Sequence, residues 1–155
     1  AHRAGLLQRL AASLARSGGT QSAGALLAVR IANFDAIAEE FGRDTAERAI
    51  VVAASHLRRA VTDLDLVARV GHHQFAVLLD GAITAEAALS KAQQVVASGL
   101  RQADALPPAL TLKFHVAVAL LPYEALGAQA CLDWALEGLA QIPPDARKLI
   151  RPLNF

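Results

Sequence analysis

Two adjacent histidines, His72 and His73, sit in the segment Gly71-His72-His73-Gln74-Phe75, between apolar runs at 66–70 and 74–79. A neutral imidazole can ligate a metal, and its protonation lies near physiological pH. With His115 the pair suggests a ligand set. Against that, adjacent turn residues point to different sides and no cysteine or carboxylate cluster accompanies them in sequence, so metal binding is not the expectation. Arg30 and Lys113 are out of place in another way, since both lie inside apolar runs that read as strands. A charge there must reach solvent or a partner, and Asp35 and Glu39 are the sequence candidates. Snorkelling at a strand end is expected ahead of anion binding. His2 and His56 have no partner that the sequence reveals, and Tyr123 and Trp134 read as packing residues.

These groups must be positioned by the elements around them. Leu6, Leu7, Leu10 and Leu14 recur at helical spacing, and residues 17–22 read as a loop rich in glycine and small polar residues. Residues 26–32 form a short apolar run that reads as a buried strand. Phe34, Ile37, Ala38 and Phe41 predict a short helix stopped by Gly42. Asp44 with Glu47 three residues on reads as a capping box, opening a longer helix through Ile50, Ala54, Leu57 and Val61. The runs 66–70 and 74–79 predict a hairpin with a tight turn at 71–73. Thr84 reads as the N-cap of a third helix, through Leu89, Ala92, Val96 and Leu100, that ends before Pro107-Pro108. Strict alternation from Leu110 to Leu120 predicts a strand over 110–120. Leu132, Leu136 and Leu139 mark a last helix, closed by Pro143-Pro144, before an edge strand at 149–153. After an N-terminal helix the order is strand, helix, helix, strand, strand, helix, strand, helix. That is an α+β sandwich in which helices cover one sheet.

At 155 residues, 54% of them hydrophobic and 19% charged, the chain has the size and apolar content of one domain with a single core. We read residues 1–155 as that domain, with 1–22 as N-terminal helix and loop and 23–155 as the core. The formal charge of +1 gives no field that would draw nucleic acid or an anionic membrane. Cys131 is the one cysteine and sits in a helical pattern, which suits a buried free thiol in a reducing cytoplasm. No apolar stretch approaches the ~20 residues that span a bilayer, and there is no secretory leader, so no direct membrane contact is expected of this segment. The chain contains no methionine and opens mid-pattern at Ala1-His2-Arg3. It reads as a fragment of a longer multidomain protein, cytoplasmic in itself or as the cytoplasmic part of a membrane-anchored one.

Three stretches carry a resemblance: Arg3-Ala4-Gly5-Leu6-Leu7, then Ala32-Asn33-Phe34 with Gly42, then Asp65-Leu66-Val67-Ala68-Arg69 with Gly71 and Phe75. Together they are similar to the GGDEF domains, the diguanylate cyclases, with the acidic residues of the signature replaced: the five signature places read Gly71, His72, His73, Gln74 and Phe75. The resemblance implies a ferredoxin-like, nucleotidyl-cyclase-like βααββαβα sandwich with a central antiparallel sheet.

It also implies which positions would act. The metal-binding aspartate that ends the first strand matches Arg30, and the signature's metal-binding glutamate matches Gln74. A guanidinium repels a divalent cation, and an amide oxygen brings no charge to neutralise one. The phosphate-gripping lysines match Asp35 and Ala140. The guanine-recognising asparagine and its partner aspartate match Ala38 and Glu47. His72 replaces the second glycine, where close backbone approach to phosphate is needed. The inhibitory R-x-x-D pair reads Thr62 and Asp65, so the arginine is missing, and Asp65 is more simply a turn residue. No cofactor is expected. The expected function is a catalytically inactive GGDEF-like regulatory or interaction module in cyclic di-GMP-related signalling. Its partners would be neighbouring sensory or EAL phosphodiesterase domains of the same chain, with a homodimer as a further candidate. The alternative is a non-catalytic receptor for GTP or cyclic di-GMP, and an active cyclase is expected least.

Overall fold

A strand that is apolar on both faces needs cover on both, and the central strand here has it. In a computed structural model, which describes residues 2–16, 24–123 and 126–155, β1 (Gly24–Ile31) is buried along almost its whole length. It pairs antiparallel with β3 (Gln74–Asp80) on one side and β4 (Phe114–Leu121) on the other. β2 (Leu66–Gly71) forms the hairpin with β3, and β5 (Ile150–Pro152) lies beside β4, giving the order β2-β3-β1-β4-β5. The expected succession of helices and strands along the chain and the edge strand are present. β5 runs parallel to β4, so the sheet is mixed rather than purely antiparallel.

Helices cover both faces. Leu27, Val29, Phe75, Val77, Phe114 and Val116 face α2 (Phe34–Phe41), α3 (Arg43–Ala60) and α4 (Ala85–Ser98) in the larger core cluster. The alternate residues, including Leu26, Ala28, Leu78, Ala117 and Ala119, face α1 (Arg3–Arg16) and α5 (Ala128–Ala140). Cys131 is fully buried in this second cluster, where desolvation raises its thiol pKa. The 17–22 loop predicted from sequence lies outside the described residues.

Two predicted boundaries are corrected. The alternating run 110–120 forms ladder only from Phe114, opposite Ile31 at the end of β1. Leu110 and Leu112 are buried, but their amides bond to the Pro107 and Gly99 carbonyls instead of a neighbouring strand. Burial alternates there because every second side chain drops onto the core, and that requires no ladder. Asp44 is also not the N-cap of α3. Gly42, at φ 92°, ends α2 and caps α3, and Asp44 lies in the first turn without a side-chain capping bond. The Asp44/Glu47 capping box is therefore absent, and Glu47 is free for another partner. Thr84 caps α4 as predicted, its hydroxyl accepting from Ala87 N at 3.0 Å.

Candidate functional site

The β2–β3 hairpin closes more tightly than its sequence suggests. Gly71 belongs to β2 and pairs with Gln74, leaving a two-residue turn of His72 and His73 after a register shift between Arg69 and Gly71. A Cβ at Gly71 would meet the Gln74 amide oxygen, so only glycine lets the two strands meet here with that side chain in place. The Arg69 guanidinium holds the turn from outside, donating to the Gly71 carbonyl at 3.1 Å and to the His72 carbonyl at 2.6 Å. From inside, Ile31 N donates to the His73 carbonyl at 3.1 Å and ties the turn to the end of β1.

Both imidazoles then fold back over the helices that follow β1. The His73 ring stacks on Phe34 at 4.7 Å with an interplanar angle of 3°, and His72 meets the same ring edge-on at 5.0 Å. His72 Nε2 lies 3.3 Å from Glu47 Oε1. Glu47, which sequence assigned to a cap, therefore faces the turn. Burial lowers the pKa of His73, the neighbouring His72 adds to that, Asp35 opposes it and Arg30 reinforces it. His73 Nδ1 is buried without a hydrogen-bond partner.

Arg30 reaches neither solvent-facing Asp35 nor Glu39, the partners expected of it. Side chains alternate across a strand. Arg30 thus shares the α5-facing row with Leu26 and Ala28, whereas Asp35 and Glu39 belong to α2 on the opposite face. In the register of the sheet Arg30 is flanked by Gln74 on β3 and His115 on β4. Its Nε and Nη2 donate to His115 Nδ1 at 3.2 and 2.9 Å, and Nη2 also donates to the Ile142 carbonyl just beyond α5. Accepting at Nδ1 places the proton of a neutral His115 on Nε2. Burial pushes the His115 pKa down to about 4, and the charges of Arg30 and Lys113 add to the effect. Burial also lowers the Arg30 pKa.

The remaining predicted positions scatter around this centre. Asp35 is exposed in the first turn of α2, Ala38 packs on the larger core, and Ala140 is exposed at the end of α5. Thr62 and Asp65 satisfy each other: the Asp65 carboxylate accepts from Thr62 N and Thr62 Oγ1, both at 3.1 Å, closing the turn before β2. Lys113 is half-buried and forms no ion pair among the described residues. Among those residues no group of three or more histidine, cysteine, aspartate or glutamate side chains could hold a metal ion.

Sequence reasoning missed Asn33. Its side chain accepts from Lys113 N at 2.9 Å and donates to the Thr111 carbonyl at 3.0 Å, clamping the exit of β1 to the entry of β4. It also missed the grip on α1. Asp80, at the end of β3, accepts from Ser13 Oγ at 2.6 Å, Arg16 at 2.9 Å and Arg9 at 3.2 Å. The signal available was a buried-looking Ser13 among helical leucines, flanked by two arginines.

The family profile described as "Diguanylate cyclase, GGDEF domain" matches residues 1–147. The chain belongs to the GGDEF family. The GGDEF domain of YfiN (or TpbB) from Pseudomonas aeruginosa is 25% identical, with a TM-score of 0.88 over 100% of this chain and 97% of that one. The active GGEEF domain of a diguanylate cyclase from Vibrio cholerae has 18% identity and a TM-score of 0.81, over 99% of this chain and 97% of that one. An EAL/GGDEF domain protein from M. capsulatus has 22% identity and a TM-score of 0.75, covering 100% of both chains. The last two show a shared fold. No curated protein matches. Within this GGDEF domain the β2–β3 turn is His72-His73, packed between Phe34 and Glu47, and no helix among the described residues is long and apolar enough to cross a membrane.

Proposed function

We propose that this GGDEF domain is catalytically inactive and serves as a regulatory or interaction module in a cyclic di-GMP-related signalling protein. The observation that carries the reading is Arg30. Where the family resemblance implies a metal-binding aspartate, a guanidinium stands instead, its donors engaged with His115 and the Ile142 carbonyl. With Gln74 at the other implied ligand position, the donor set does not fit a pair of divalent cations. Hard cations take carboxylate and other oxygen ligands, and a fixed positive charge opposes them. Phosphoryl transfer depends almost wholly on positioning and charge stabilisation, so this substitution removes the chemistry rather than slowing one step of it.

The rest of the site supports the same reading. The position implied for guanine recognition holds Ala38, and Glu47 there is met by His72 rather than left open to a base. Asp35 replaces a phosphate-gripping cation with like charge, and Ala140 replaces the other with a methyl group. The Thr62/Asp65 pair is closed on itself and lacks the arginine of an inhibitory site. The scaffold remains available for contact with neighbouring sensory or phosphodiesterase domains or with a second copy of the chain. The M. capsulatus relative is described as an EAL/GGDEF domain protein. Calorimetric titration with GTP and magnesium tests the module against a receptor: the expected trace has no saturable heat, and a saturable isotherm would replace this reading with nucleotide binding.

A further inference from the structure

The last turns of α3 and α4 lie against each other, and the groove between them opens into adjoining cavities of about 260 and 280 Å³ that share His56 and Arg59. Arg59 comes from α3, and Arg101 lies just past α4. Both arginines are exposed, and neither pairs with a carboxylate among the described residues. His56 lines both cavities, yet its residue is only 4% exposed and neither ring nitrogen makes a hydrogen bond of good geometry, the Arg101 backbone being the polar group close to the ring. Burial lowers its pKa, the Arg101 backbone pulls the other way, and the Arg101 and Arg59 charges add to the lowering. Lys91 adds a fourth basic group nearby, donating to the Ala60 carbonyl at 3.0 Å and to Gln94 Oε1 at 3.1 Å. That contact occupies the Gln94 carbonyl and leaves its amide N–H groups to donate.

Cations at the carboxyl ends of two helices are favoured by the helix dipoles, which accounts for each arginine singly. It does not account for two guanidinium groups without an ion pair converging on an imidazole in the 260 Å³ cavity, whose lining holds no acid, the one carboxylate of the groove being Asp104 in the adjoining cavity. Such a cluster leaves a positive potential in a groove, and an anion relieves it. We propose that this groove binds a small phosphate-bearing anion, gripped by the forks of Arg59 and Arg101 with Gln94 on the wall. Guanidinium matches phosphate oxygens in bidentate geometry. The site is separate from the hairpin and from the Thr62/Asp65 turn, and it does not depend on whether the domain is catalytic.

Inorganic pyrophosphate is the probe, titrated calorimetrically at constant ionic strength into the chain, into the double variant Arg59→Gln/Arg101→Gln, and into Arg147→Gln, a cation outside the groove. A single-site isotherm is expected for the chain and for Arg147→Gln, with affinity about tenfold or more weaker in the double variant, the usual loss when a charged hydrogen bond is removed. An absent isotherm, unchanged affinity in the double variant, or equal weakening in Arg147→Gln would overturn the proposal, the last by reducing it to diffuse attraction. Imidazole NMR of the unmutated chain gives a reading that requires no variant to fold. Pyrophosphate should shift the His56 signals and leave those of His115, on the opposite face of the sheet, in place, and the reverse pattern would refute the site.

Discussion

The Arg30–His115 contact has consequences that can be measured at single residues. His115 is fully buried with a pKa of about 4, below the ordinary 6.5. Between those values the unfolded chain binds a proton that the folded chain does not, so stability falls as pH drops through that window and loses nothing further to this group below it. His56 and His73 are also shifted down and add to the slope with the same sign. Urea unfolding at a series of pH values should show stability declining from about pH 6.5 toward 4, with a limiting slope near 1.4 kcal/mol per pH unit for each histidine involved. A flat profile over that range would show that these imidazoles are not held neutral. Replacing Arg30 with alanine removes the cation facing His115 and strands Nδ1 and the Ile142 carbonyl. The expected outcome is a destabilisation of about 1–3 kcal/mol and a His115 titration that moves up toward its ordinary value, read by imidazole NMR.

At the scale of elements, α1 is held to the sheet by Asp80. Burial would raise the Asp80 pKa, but Ser13, Arg16 and Arg9 outweigh it and hold the carboxyl below its ordinary value. Its contribution is therefore present above the unfolded carboxylate pKa and lost as pH falls through the folded one. Asp80→Asn should lower stability by roughly 1–3 kcal/mol, and hydrogen exchange should show faster exchange in α1 than in β1. Exchange unchanged in α1 would mean that Leu6 and Leu10 alone hold the helix. The two helix starts separate sequence reading from structure in the same way. Thr84→Ala should cost about 1 kcal/mol, as for a capping residue. Asp44→Ala should cost under about 0.5 kcal/mol, as for a surface residue. A cost near 1 kcal/mol for Asp44 would restore the capping box that the geometry lacks.

Those residues also show what the sequence could convey. The hairpin, the cap at Thr84 and the stop at Gly42 were legible because each depends on local backbone chemistry within a few positions. Asp44 misled because glycine at φ 92° let the chain turn directly from α2 into α3, with its cap two residues before the better-looking one. The run 110–120 misled because alternation reports which side chains are buried and not which amides have a strand beside them. Arg30 was recognised as anomalous, but its partner was sought nearby in sequence. The register that sets it beside His115, 85 residues away, exists only once β1 and β4 pair. The contact of His72 with Glu47 is hidden for the same reason.

For the molecule as a whole, a sheet covered on both faces by helices is a scaffold that stands without its chemistry. The core residues that make it, such as Leu27, Val77 and Val116 on one face and Leu26, Leu78 and Ala117 on the other, are independent of Arg30, His72 and Gln74. The fold can therefore stand with a guanidinium, an imidazole and an amide at these three positions. The central claim is tested most directly by incubating the purified chain with GTP and magnesium, then with manganese, and separating the products by chromatography. The account predicts no cyclic di-GMP above a protein-free blank at any protein concentration. Cyclic di-GMP that accumulates in proportion to the protein added would contradict it.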